Sequence, residues 1–157
     1  MPTKLHEPII KTSPFNSNDE VKIIIHHDYI TKEFTLYMDY YKTFLTIYRK
    51  CRDSHFRHCI KLNSLSFNGT KCTSFDIRDL KNKSYQVKIS LYPVGQQRLP
   101  KNEQELKSAI KCVLEFLEDF HKDELVHRDL RWPNILRGST EWFVIDLENA
   151  GSKDLYL

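Results

Sequence analysis

Glycine is scarce in this chain, with four residues in 157. No G-x-G-x-x-G run occurs, and Gly69 and Gly95 stand isolated. A glycine-rich loop that lets backbone amides cradle an anion is therefore absent or unrecognisable. Long apolar runs are missing too. Nothing approaches the roughly 20 apolar residues of a membrane-spanning helix. The N-terminal stretch MPTKLHEPIIKTSPF has no apolar signal core and no cleavage pattern. The expectation is an intracellular, cytoplasmic protein with no membrane partner. Cysteine is sparse as well. Cys51, Cys59, Cys72 and Cys112 are spaced unlike a small secreted disulfide framework and read as free thiols. Charge of one sign is weak: the formal net charge of +3 falls short of the basic stripe of a nucleic-acid-binding domain. No nucleic acid partner is expected.

What is present fits one globular domain. The length suits a single core. Hydrophobic residues make up 40% and charged residues 29%, near the globular average. Nine Phe, eight Tyr and two Trp supply the volume for that core. Residues 1–20, with Pro2, Pro8 and Pro14, read as an irregular lead-in.

Residues 21–25, VKIII, predict a buried strand. Across 31–52, Phe34, Tyr37, Met38, Tyr41, Phe44, Leu45 and Tyr48 fall at helical spacing. The same stretch is rich in Thr, Tyr and Phe, which favour strands; the spacing is taken to win, giving a helix. Residues 59–67, 74–77 and 85–92 predict strands, with turns at Asn68-Gly69 and Asn82-Lys83. Pro93-Val94-Gly95 ends that pattern. Asn102 then caps a helix over 102–122, with Glu105 three residues on. Leu106, Ile110, Val113, Leu114, Leu117 and Phe120 are expected to form its apolar stripe. Lys107, Lys111, Glu115, Glu118 and Lys122 are expected on the other face.

The chemistry follows this helix. His127-Arg128-Asp129-Leu130-Arg131-Trp132-Pro133-Asn134 precedes two short apolar segments, 134–136 and 141–145, separated by Gly138-Ser139-Thr140. A hairpin here returns Asp146, at the end of the second strand, to Asn134 at the start of the first. Asp129 lies just upstream. A carboxylate and an amide oxygen are hard ligands of the type Mg²⁺ uses beside phosphate oxygens. Asp129 is left to handle a proton. Turn capping is the ordinary role of Asp and Asn, but it would require helix, triplet, Asn offset, hairpin and second Asp to coincide by chance.

The spacing His127-Arg128-Asp129-Leu130-x-x-x-Asn134 resembles the catalytic loop of protein kinases. The preceding helix resembles the long helix before that loop. Asp146 resembles the magnesium-binding Asp of the D-F-G motif, although Asp146-Leu147-Glu148 stands in its place. Residues 144–151 are also similar to aminoglycoside phosphotransferases and choline kinases. Arg131-Trp132-Pro133-Asn134 is similar to the atypical fungal kinase-like domains, including those of Crinkler-type proteins. The resemblance implies ATP and Mg²⁺ as cofactors, and a protein or small-molecule hydroxyl as acceptor. Asp129 would be the base, Arg131 a phosphate contact, and Asn134 and Asp146 the metal and nucleotide ligands. It also implies a strand lysine on the phosphates. Lys22 is the candidate, with Glu33 as partner; Lys88 lies too close to the 102–122 helix.

The implied fold is α+β and protein-kinase-like. A small strand-rich N-lobe (21–95) precedes a truncated helical C-lobe (96–157) with catalytic loop and hairpin. The chain ends at Leu157, soon after Asp146, so the apolar face of the 102–122 helix is expected to need a partner. The rival reading is a pseudokinase-like binding module, and a third is a small-molecule kinase. Cys51, His55, His58 and Cys59 also fall close together, but adjacent His58 and Cys59 would strain a tetrahedral zinc site.

Overall fold

A run of β-branched and aromatic residues with alternating burial builds one sheet. The computed structural model describes residues 9–12, 20–71 and 84–152. The expected strand at 74–77 and the turn at Asn82-Lys83 lie outside these. The chain divides into two compact units. One comprises Met1–Arg49 and Lys61–Val94, the other Lys50–Ile60 and Gly95–Leu157.

The first unit holds a six-stranded sheet. Its strands are β1 (Ile9–Thr12), β2 (Glu20–Ile25), β3 (Ile30–Tyr37), β4 (Lys61–Phe67), β5 (Thr70–Lys71) and β6 (Ser84–Tyr92). Their order is β1-β2-β3-β6-β4-β5, and every pairing is antiparallel. β1 falls within residues read from sequence as irregular: a segment this short forms a strand only because β2 offers its edge. Asn68 and Gly69 both take positive φ between β4 and β5, as a two-residue hairpin turn requires.

The expected helix over 31–52 splits in two. Residues 30–37 are strand β3, and the helix α1 is Met38–Arg52. Period decides the boundary. Lys32, Phe34 and Leu36 are buried in alternation along β3, a period of two. From Tyr41 the buried set is Phe44, Leu45, Ile47, Tyr48 and Cys51, a period of 3.6. α1 lies on the face of Phe34 and Tyr85: Phe44 meets Phe34 edge-on at 5.7 Å, and Tyr41 meets Tyr85 at 5.9 Å.

The second unit is built on α2 (Glu103–Lys122). Asn102 accepts from the Glu105 backbone N–H at 2.8 Å. The Glu105 carboxylate does not complete a reciprocal box. It accepts instead from the Lys101 N–H at 2.7 Å and from both terminal nitrogens of Arg98 at 2.8 and 2.9 Å. The fork of Arg98 and the Lys101 amide hold the Glu105 carboxyl down at about 2.

The buried face of α2 is Ala109, Cys112, Phe116 and Phe120. Leu106, Ile110 and Leu114, expected in the stripe, are 38%, 47% and 59% exposed. The structure therefore turns the helix so that the smaller Ala109 and Cys112 face the core. They pack there against Ile135 and Trp142, and small residues leave room for the indole. No helix among the described residues is long and apolar enough to cross a membrane.

Short strands complete this unit. β7 (Leu125–Val126) pairs with β10 (Gly151–Ser152), and β8 (Ile135–Arg137) with β9 (Trp142–Val144). Backbone bonds extend the β8–β9 hairpin on both sides. Gln96 exchanges two bonds with Arg137, at 2.8 and 2.9 Å. The Val144 N–H donates to His58 O at 2.8 Å, and the Ile60 N–H to Val144 O at 2.9 Å. Gly95 sits where a Cβ would stand 2.6 Å from the Phe143 ring and 2.7 Å from Leu136 Cβ. Gly95→Ala is expected to destabilise the protein by about 1–3 kcal/mol through overpacking. Urea unfolding followed by circular dichroism would read this loss.

Candidate active site

Residues 125–152 converge because two left-handed residues turn the chain sharply. Arg128 has φ 69° and Asp146 has φ 58°, a region that costs a non-glycine residue energy and is concentrated at functional sites. Between them the chain runs through a short 3₁₀ turn, Trp132–Asn134, and then the β8–β9 hairpin. The Ile145 N–H donates to Asn134 O at 3.0 Å. This bond sets Asp146 directly beyond Asn134, as the hairpin reading expects.

His127 ties the loop to the end of β9. Its ring is buried, Nε2 lies 2.9 Å from Ile145 O, and Nδ1 accepts from the Asp129 N–H at 3.2 Å. A carbonyl can only accept, so Nε2 carries the hydrogen and Nδ1 the lone pair. One neutral imidazole therefore positions the backbone of Asp129 against the residue preceding Asp146. The Arg128 guanidinium donates to Ser152 O at 3.2 Å. A Cβ on Gly151 would stand 2.6 Å from that guanidinium.

Asp129 is held on both oxygens. Arg131 Nε lies 2.9 Å from Oδ1, and Asn134 Nδ2 donates to Oδ2 at 3.0 Å. The same Asn134 amide nitrogen donates to Asp129 O at 2.8 Å. Both bonds use nitrogen, so the amide orientation is set by two acceptors. The Asn134 Oδ1 is then left to coordinate. Asn134 itself is buried, while the Arg131 side chain is 64% exposed. Chemically the site offers a carboxylate next to an arginine and a buried amide, and Asp146 follows the residue bonded to Asn134 O. Those hard oxygen donors fit a magnesium ion.

Lys22 is exposed on β2 of the first unit, opposite Glu33 in register. Glu33 is in turn opposite Lys88, whose Nζ is 3.5 Å away. Lys22, Glu33 and Lys88 thus make a cross-strand row of alternating charge on the exposed side. The adjacent row is Ile23, Lys32, Ile89 and Leu65, on the face that α1 covers. Lys32 is only 8% exposed, which is rare for lysine without a specific role. Sequence reading missed Lys32 because residues 31–52 were assigned one helical period. The signal was present in the alternation Lys32-Phe34-Leu36.

The Cys51, His55, His58 and Cys59 cluster holds no metal arrangement. His55 pairs with Asp123 at 2.9 Å, and His58 with Glu115 and Glu141. Cys51 and Cys59 are 4.0 Å apart, and burial pushes the Cys51 thiol up. Among the described residues no three His, Cys, Asp or Glu side chains form a metal-binding group.

Comparison with solved structures decides the architecture. The Cydia pomonella granulovirus kinase PK-1 superposes with a TM-score of 0.54 over 93% of this chain, at 15% identity. The fold is kinase-like. At that identity the likeness concerns the fold alone. No family model matches. The chain is also 38% identical over 69 residues to Crinkler effector protein 8 of Phytophthora infestans, a match covering 43% of this chain. The kinase-like chain spans 54% of the viral kinase and 12% of the Crinkler protein.

Proposed function

We propose that this protein transfers the γ-phosphoryl group of ATP to a hydroxyl, with a protein side chain as the leading acceptor. The observation that supports the reading is the bonding of Asp129 to Asn134 and to His127, with Ile145, the residue before Asp146, bonded to both His127 and Asn134. Asp129 accepts the hydroxyl proton, and Arg131 keeps its remaining N–H groups for the transferred phosphate. Asn134 and Asp146 would hold magnesium, which when bound supplies charge neutralisation at the phosphates. Asp146-Leu147-Glu148 in place of D-F-G favours a small-molecule acceptor as the second reading.

Lys32 replaces Lys22 as the proposed phosphate lysine. It is the buried lysine on the strand immediately before α1, where kinases carry theirs. The α1 sequence MDYYKTFLTIYRKCR contains no Glu, so the usual Lys–Glu pairing with that helix is not available here.

A thermal-shift titration with Mg-ATP tests the proposal. Nucleotide at about 100 times its Kd is expected to raise the melting temperature by about 5–10 °C. Asp146→Asn is expected to abolish the rise, Lys32→Met to weaken it, and Lys22→Ala to leave it unchanged. A folded sample with no shift would sink both the kinase and the nucleotide-binding pseudokinase readings. A shift without turnover on any hydroxyl acceptor would leave the pseudokinase.

A further inference from the structure

The side chain that fastens the catalytic hairpin to the rest of its unit is a histidine between two carboxylates. His58 Nδ1 lies 2.5 Å from Glu141 Oε2, and Nε2 lies 2.7 Å from Glu115 Oε2. Glu115 belongs to α2. Glu141 precedes β9, in the turn of the hairpin whose strands begin after Asn134 and end before Asp146. The His58 carbonyl also accepts from the Val144 N–H. Its φ of 50° lies in the left-handed region, where histidine is several-fold enriched among non-glycine residues. The ring is 17% exposed.

We infer that His58 is a positioning residue: its ring bridges Glu115 of α2 and Glu141 of the hairpin turn, and removing that bridge loosens the hairpin that carries Asn134 and leads into Asp146. This inference rests on the proposed function for its link to nucleotide binding, but the clasp itself does not.

The surrounding charges allow for this. On α2, Lys111 lies 3.9 Å from the other Glu115 oxygen, and Arg57 lies 3.7 Å from the oxygen that His58 uses. Neither cation reaches Glu141 among the described ion pairs. Arg57 is committed mainly to Asp119 at 3.0 Å and Glu118 at 2.8 Å. Cys112, near both carboxylates, has its thiol pushed up by burial and adds no charge. On the hairpin, the Arg137 guanidinium lies 5.8 Å from the centre of the Trp142 ring. The His58 bond lowers the Glu115 carboxyl below its usual range. The Glu115 share of the clasp is therefore present at neutral pH and is lost as acid protonates that carboxyl.

Two measurements test the clasp. In urea unfolding at neutral pH, His58→Gln and Glu141→Gln are expected to show coupled losses in a double-mutant cycle, the second substitution costing less once the first is made. Strictly additive losses would overturn the inference. Glu141 lies outside the proposed active site, and Mg-ATP affinity is expected to fall at least threefold in Glu141→Gln; an affinity equal to wild type would overturn the link from the clasp to the site. If wild type binds no Mg-ATP, the phosphotransfer reading fails, while the cycle still decides the clasp.

Discussion

Asp129→Asn is expected to leave the Mg-ATP thermal shift in place while cutting phosphoryl transfer by about 10²–10⁴-fold. The separation follows from the hydrogen bonds. Asp129 Oδ2 accepts from Asn134 Nδ2, and Asp129 O accepts from the same nitrogen. An asparagine at 129 still offers one side-chain oxygen and the same backbone carbonyl, so Asn134 keeps its orientation. Its Oδ1 stays aimed away from residue 129. What disappears is the carboxylate proposed to take the hydroxyl proton. The measurement is single-turnover phosphate transfer beside the thermal shift for the same sample. Unchanged transfer would remove Asp129 from the role of base. Loss of transfer together with the shift would mean that residue 129 holds the site together rather than performing the chemistry.

Trp142→Ala is expected to cost about 3–5 kcal/mol, a large share of the roughly 5–15 kcal/mol that holds a domain folded. The indole is 1% exposed and packs on Ala109, Cys112 and Ile135. The Arg98 guanidinium lies 5.2 Å from the ring centre and is itself forked onto Glu105. Deleting the ring empties the space between α2 and β9 and leaves the hairpin that carries Asn134 without its support. Leu114→Ala, on the exposed side of the same helix, is expected to stay within about 0.5 kcal/mol. Urea unfolding monitored by circular dichroism would compare the two. A Trp142→Ala loss below about 1 kcal/mol would show that the hairpin does not depend on this packing.

Much of the second unit was legible from its residues because its signals are local. Asn102 with Glu105 marked the start of α2, and the Gly138 region marked the hairpin turn. The offset from Asn134 to Asp146 matched a return of the chain, realised in the bond from the Ile145 N–H to Asn134 O. The first unit was less legible. The aromatic residues at 34, 37, 41, 44 and 48 satisfy a helical period, yet β3 runs to Tyr37. Pairing with β2 on one side and β6 on the other overrides the local preference. That one misplaced boundary also hid Lys32, since a lysine is assigned inward or outward only after the period is known.

The apolar stripe of α2 shows a second limit. Six large apolar residues suggested one buried face, but burial follows what lies opposite. Trp142 requires small neighbours, so Ala109 and Cys112 face it, and Ile110 and Leu114 are left exposed.

The loop from His127 to Asn134 and the return at Asp146 could be read from the sequence alone, because a turn, a short hairpin and a fixed residue offset are specified by neighbours in the chain. The tertiary structure decided which lysine is buried, which face of α2 meets the core, and that His58 lies between Glu115 and Glu141. Those choices depend on residues dozens of positions apart. Their pairing is set by register, volume and charge in three dimensions, and no local pattern encodes it.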